Sequence, residues 1–132
     1  MKVSLFYMIK GIGIDTVYIP RIQALLDKGE TSFFQHTFTA EENRLAPDTG
    51  RKAEYYAARF AAKEAVFKAL APLTAARHFD LRTVESLHHE DGSPYIHITA
   101  AMEQLLQEAQ AEKILLSITT EQDYATAFVL IQ

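Results

Sequence analysis

The hydrophobic and polar positions change rhythm several times along the chain. Val3 to Ile9 is β-prone, and Gly11-Ile12-Gly13-Ile14-Asp15-Thr16-Val17 reads as an extended segment whose two glycines permit close backbone approach. Ile22, Leu25 and Leu26 then recur at helical spacing behind Pro20, which suits a first helical turn, and Gly29 predicts the stop. Thr39-Ala40-Glu41-Glu42 is a capping-box pattern that opens a second short helix, ended by Pro47. Arg51 to Leu70 holds neither glycine nor proline and is rich in alanine, which predicts a long helix closed by Pro72.

The second half alternates instead. Thr83 to His89 and Tyr95 to Thr99 flank the turn Glu90-Asp91-Gly92-Ser93-Pro94, a hairpin pattern. Thr99 is placed to cap a helix over Ala100 to Ala111, and Ile114 to Thr119 with Ala125 to Ile131 predicts a second strand pair around Glu121-Gln122-Asp123. This order predicts an α+β fold: a mainly antiparallel sheet packed by a long central helix and shorter helices, not a regular βαβ alternation. No repeat or linker divides the chain, so residues 1–132 are expected to form one small domain. The closing run Ala125 to Ile131 suits burial on both faces.

Composition narrows the class. A hydrophobic fraction of 48% is that of a folded globular protein. The absence of cysteine excludes a disulfide framework, a thiolate zinc site and a cysteine nucleophile, and agrees with a reducing, cytoplasmic setting. No stretch approaches the ~20 apolar residues of a membrane span. Lys10 ends the first apolar run without a cleavage site behind it, so neither a membrane nor a signal peptide is expected. A net charge of −4 argues against nucleic acid as a partner, yet the charge is uneven. Residues 1–68 carry ten Lys/Arg against eight Asp/Glu, and residues 69–132 carry three against nine. A locally basic surface on an acidic chain suits a specific anionic ligand or an acidic protein.

On a helical wheel of ~100° per residue with Glu64 at zero, Lys52, Arg59 and Lys63 fall together near −120°, −140° and −100° as a basic stripe. Lys68 falls near +40° beside Glu64, in a sector that also holds Ala57, Phe60, Ala61 and Phe67. The opposite sector is apolar too, so the helix is expected to be mostly buried, and charges on a buried face need partners. Glu64 and Lys68 at i, i+4 have the spacing of an ordinary helix ion pair; their apolar surroundings make a functional site the competing account. The stripe is either a solvated helix edge or an anion site. Asp15, where a strand-like segment meets a turn, is either a cap or a ligand for a hard cation such as Mg²⁺, with the glycines admitting a bulky phosphate. His88-His89-Glu90-Asp91 reads as a turn-flanking surface rather than a metal cluster, because adjacent residues on a strand point to opposite faces.

Gly11-Ile-Gly-Ile-Asp15 and Arg59-Phe-Ala-Ala-Lys-Glu64-Ala-Val-Phe-Lys68 together resemble the two signature motifs of the 4′-phosphopantetheinyl transferases of the small holo-acyl-carrier-protein synthase type. The resemblance runs from Gly11 to the C-terminus and takes in the Thr39 cap, the Asp91-Gly-Ser-Pro-Tyr95 turn and the closing strand pair. It implies Mg²⁺-dependent transfer of phosphopantetheine from coenzyme A to a serine of an apo acyl carrier protein, releasing 3′,5′-ADP, as in fatty acid biosynthesis. It further implies Asp15 and Glu64 as metal ligands, Glu64 aiding serine deprotonation, and Lys68 neutralising charge on the attacked phosphate. Arg59, Phe60, Lys63 and Lys52 would lie toward coenzyme A, Arg21 and Leu25 would dock the acidic carrier, and a homotrimer would place the site at a subunit boundary. One segment and two single positions depart from the family pattern. Ala71 to His78 replaces a glycine-rich stretch, Thr120 stands where a histidine is usual, and His36 stands where arginine is common. The competing function is a non-catalytic relative that binds a carrier or serves as an assembly subunit.

Overall fold

The computed structural model describes residues 8–75 and 78–132. Strand β1 (Gly11–Tyr18) leads into helix α1 (Ile19–Asp27), which begins with Pro20 in its first turn and ends before Gly29 at φ +67°. Helices α2 (Thr31–Thr37), α3 (Ala40–Leu45) and α4 (Lys52–Leu70) follow. The hairpin β2 (Glu85–His88) and β3 (Pro94–His97), helix α5 (Ala100–Glu108) and strands β4 (Ile114–Glu121) and β5 (Tyr124–Ile131) complete the order. The α+β expectation holds. The strand expected at Val3 to Ile9 lies largely outside the described residues, and Met8 and Ile9 are not in a strand. Two residues of the Ala71 to His78 segment, Ala76 and Arg77, also lie outside them.

Helix α2 has no counterpart in the pattern-based prediction. Its seven residues carry two adjacent phenylalanines and a single strong helix former, Gln35, so local propensity does not announce it. Tertiary packing holds it: Phe34 and Phe38 sit with ring centroids 4.6 and 4.7 Å from Tyr56 on α4.

The main sheet has the order β1-β5-β4, antiparallel throughout, with Gly11 opposite Ile131 and Tyr18 opposite Tyr124. Helix α4 crosses one face and is buried on most of its circumference, as its alanine-rich, two-sided apolar pattern requires. Gly11 and Gly13 explain the closeness of that crossing. A Cβ on Gly13 would stand 1.9 Å from the Ala65 carbonyl oxygen, and one on Gly11 would stand 2.6 Å from that of Ala69. The two glycines therefore admit the helix backbone to β1, which corrects the expectation that they clear space for a phosphate.

Strand β5 distinguishes its two faces. Ala125, Ala127, Val129 and Ile131 face α4 and are buried, whereas Tyr124 and Phe128 on the other face are exposed. With Ile12, Ile14, Tyr18 and Leu115 they form an open apolar face across all three strands. In one copy of the chain the closing strand is buried on one side only.

Candidate active site

Strand β1 alternates, so Asp15 shares the inward face with Gly13 and Val17 and points at α4. It does not cap α1, whose N-cap Tyr18 makes no side-chain cap bond. Lys68 Nζ donates to Asp15 Oδ1 at 2.9 Å and to the Ile14 carbonyl at 3.1 Å. The i, i+4 partner expected for Glu64 is thus engaged with a strand 53 residues away in sequence. Glu64 remains half-buried one turn before Lys68. Burial pushes its carboxyl up from the ordinary range, the nearby Asp15 charge adds to that, and Lys68 opposes both.

Two mutually repelling carboxylates beside a cation offer oxygen donors that could hold a hard divalent ion. Mg²⁺ is held by one or two carboxylates with substrate phosphates completing its shell, and the hard oxygen donors of Asp15 and Glu64 fit that requirement. Among the described residues there is no group of three or more His, Asp or Glu placed to hold a metal without such a substrate.

The basic stripe is broken up by the fold. Lys63 is completely buried, with Nζ 2.7 Å from Glu42 Oε1, and it donates to the carbonyls of Leu81, at 3.0 Å, and Val84. It is therefore a core cation and not a phosphate-facing one. Burial pulls its pKa down while Glu42 opposes the shift. Glu42 is the same residue that closes the capping box, taking the Thr39 N–H at 2.8 Å, and it also accepts from Ser86 N at 2.8 Å. Sequence pattern exposed only its capping role, because the partners at 63 and 86 carry no local signal. Lys52 lies apart, 3.9 Å from Asp48 and beside a cavity shared with Phe34 and Tyr56. Phe60 packs its ring 5.9 Å from Phe33.

Arg59, unlike buried Lys63, lines a second pocket. A cavity of about 400 Å³ is lined by Arg51, Tyr55, Arg59, His88 and Thr120. The Arg59 guanidinium stacks 3.8 Å from the Tyr55 ring centroid, donates through Nη2 to His88 Nδ1, and leaves a buried Nε without a partner. His89 points the other way and stacks on Tyr95 at 4.1 Å, so the adjacent histidines diverge as strand geometry predicts. A roomier cavity of about 670 Å³ beside α5, lined by Lys10, Leu106 and Gln110, reaches none of these groups. Arg21 is exposed on α1, and the Asp27 carboxylate on the same helix accepts from Gln23 at 2.9 Å. Leu25 is half-buried on the same helix.

One buried helix crosses the sheet, and an aspartate of the first strand is bound to a lysine of that helix. Residues 11–129 match the family model of the 4′-phosphopantetheinyl transferase superfamily. The chain is 37% identical over 123 residues to a holo-[acyl-carrier-protein] synthase of Halothermothrix orenii, covering 93% of this chain and 97% of that one. The crystal structure of the holo-[acyl-carrier-protein] synthase from Neisseria meningitidis superposes with a TM-score of 0.81 at 31% identity, over 95% of this chain and 99% of that one. The Bacillus anthracis synthase, solved in complex with coenzyme A (3′,5′-ADP), superposes at 0.73 with 29% identity, over 94% and 96% of the two chains. This chain belongs to that superfamily as an enzyme of the holo-[acyl-carrier-protein] synthase type.

Proposed function

We propose that the enzyme transfers 4′-phosphopantetheine from coenzyme A to a serine hydroxyl of an apo acyl carrier protein, with Mg²⁺ as cofactor and 3′,5′-ADP as the leaving product. The observation that carries this reading is the convergence of Asp15, Glu64 and Lys68 across the β1–α4 contact. Asp15 and Glu64 are the residues that would hold Mg²⁺, which supplies positive charge against the pyrophosphate. The serine oxygen attacks the phosphorus nearer pantetheine, the bond from that phosphorus to the bridging oxygen breaks, and the departing 3′,5′-ADP takes the electron pair. Glu64, directly or through water, accepts the serine proton. Lys68 sets an ammonium beside the charge that develops on the attacked phosphate.

Arg59 and its pocket would receive a phosphate of coenzyme A. Arg59 lies about 140° around α4 from Glu64, so one copy presents its carboxylates and its arginine pocket on different sides of the helix. A homotrimer that joins one copy's carboxylates to the next copy's arginine pocket resolves this, and the open apolar face of the sheet supports such an assembly. Exposed Arg21, with Leu25, would dock the acidic carrier. We place the reaction in the cytoplasm, on the cysteine-free composition and the absence, among the described residues, of a helix long and apolar enough to cross a membrane. Incubation with coenzyme A, Mg²⁺ and a panel of apo carriers, read by the phosphopantetheine mass gained, tests the reaction. No transfer to any carrier would remove it.

A further inference from the structure

The Arg59 pocket holds a titratable group that the reaction so far leaves without a task. Guanidinium nitrogens only donate and stay charged, so in the Arg59–His88 contact the imidazole Nδ1 is the acceptor. His88 is then neutral, with its proton on Nε2. Burial first, and the Arg59 charge second, hold its pKa below the ordinary histidine value. The pocket's other ionisable groups are Arg51 before α4, and Glu54 and Tyr55 on α4, while β4 contributes uncharged Ile118 and Thr120. Next to the contact, Arg59 Nε is buried and unpaired. A donor with no acceptor, beside an acceptor that becomes a donor on protonation, forms a site completed by an anion.

We propose that His88 is the proton-coupled wall of this pocket: when a dianionic phosphomonoester enters, the imidazole takes a proton from solvent, releases Arg59 and donates to a phosphate oxygen. The ring edge against Arg59 is desolvated, while the residue as a whole is exposed at the pocket rim. The freed Arg59 donors pass to the same phosphate. The proposal rests on reading the pocket as a coenzyme A site, and it names the phosphate. Of the coenzyme's phosphates only the 3′-monoester reaches a charge of about −2 near neutral pH, with its second pKa near ~6. A dianion reverses the field at His88, and its favoured state becomes the imidazolium. Protonation and binding then favour each other, so affinity rises as pH falls.

Calorimetric titration with coenzyme A in two buffers of different ionisation enthalpy reads the proton directly. The wild-type protein is expected to take up a fraction of a proton at pH 7. Its Kd should weaken by about fivefold to tenfold from pH 6 to pH 8, within the tenfold per pH unit that one linked proton allows. In His88→Gln, which keeps an acceptor for Arg59 but does not titrate, only the ligand's own titration should remain. Dephospho-coenzyme A, which lacks the 3′-phosphate, should show no uptake with either protein. The His88 ring resonances should titrate at higher pH in the coenzyme-bound protein than in the free one. Equal uptake in wild type and His88→Gln, or equal uptake with dephospho-coenzyme A, would overturn the proposal. Arg59→Gln separates the two levels of inference. If it leaves coenzyme A affinity unchanged, the pocket assignment fails and takes the His88 role with it; if it weakens binding while His88→Gln keeps the wild-type pH slope, the His88 role fails alone.

Discussion

Asp15 and Lys68 are held to each other and Glu64 is not, and this difference lets substitutions at the site be separated. Glu64→Gln keeps the shape of the side chain and removes one metal charge. Transfer should fall by at least ~100-fold while the thermal midpoint stays close to that of the wild type, since no ion pair is lost. A near-normal rate at limiting Mg²⁺ would refute the ligand assignment. Lys68→Ala should lower kcat by ~100-fold with little change in the KM for coenzyme A, because the ammonium acts on charge that develops in the transition state. An effect confined to KM would instead mean uniform binding. Arg21 has no ion pair among the described residues, so Arg21→Glu should raise the carrier KM by ~10-fold or more and leave coenzyme A binding unchanged. Added salt should slow the wild-type reaction at low carrier concentration.

At the scale of elements, two contacts hold the site in shape. The first is β1 on α4, where the Gly13 backbone touches the carbonyl of Ala65, the residue next to Glu64. Gly13→Ala must push strand and helix apart, since the clash is with backbone that has no rotamer to change. A cost of ~3 kcal/mol or more in urea unfolding is expected, with a loss of transfer larger than the unfolded fraction explains, because Asp15 and Glu64 face each other across this contact. The second is the buried Lys63–Glu42 pair, which joins α3, α4 and β2. Lys63→Met would leave the Glu42 charge in the core without its counter-ion, held only by the Thr39 and Ser86 N–H groups, and should cost ~3–5 kcal/mol. Coenzyme A affinity measured on the folded fraction should change much less than it does in Arg59→Gln. The capping box at Thr39, the hairpin turn and the stop at Gly29 were all legible in the chain, because each is set by residues within four positions of one another. Helix α2 was not, since aromatic contacts with α4 hold it.

For the whole molecule, the sheet decides assembly. One face is closed by α4, and the other leaves Ile12, Ile14, Tyr18, Leu115, Tyr124 and Phe128 open. A contiguous apolar patch on a sheet is an association surface. The proposed homotrimer should give about three times the 14.9 kDa chain mass by light scattering at micromolar concentration, and the chain mass itself would refute it. Phe128→Glu, at the middle of that face, should yield monomers that keep their secondary structure. These monomers should lose transfer if the site spans two copies; full activity in a monomer would refute the shared site.

By itself the sequence determined which stretches are helix and strand wherever periodicity, caps and turns are local, and it determined the chemistry on offer: two carboxylates and a lysine within recognisable motifs. The motifs placed Asp15 beside Glu64 only by resemblance; the tertiary structure shows that the Lys68 ammonium bridges to the strand carboxylate and leaves the helical one. Tertiary packing also decided which members of the basic stripe line pockets and which enters the core. Lys63 and Arg59 look alike on a helical wheel, but one is taken into the core by Glu42 and the other is turned toward His88. The wheel records angle around an axis, and burial depends on what other segments bring to that angle, with partners here 21 and 29 residues away.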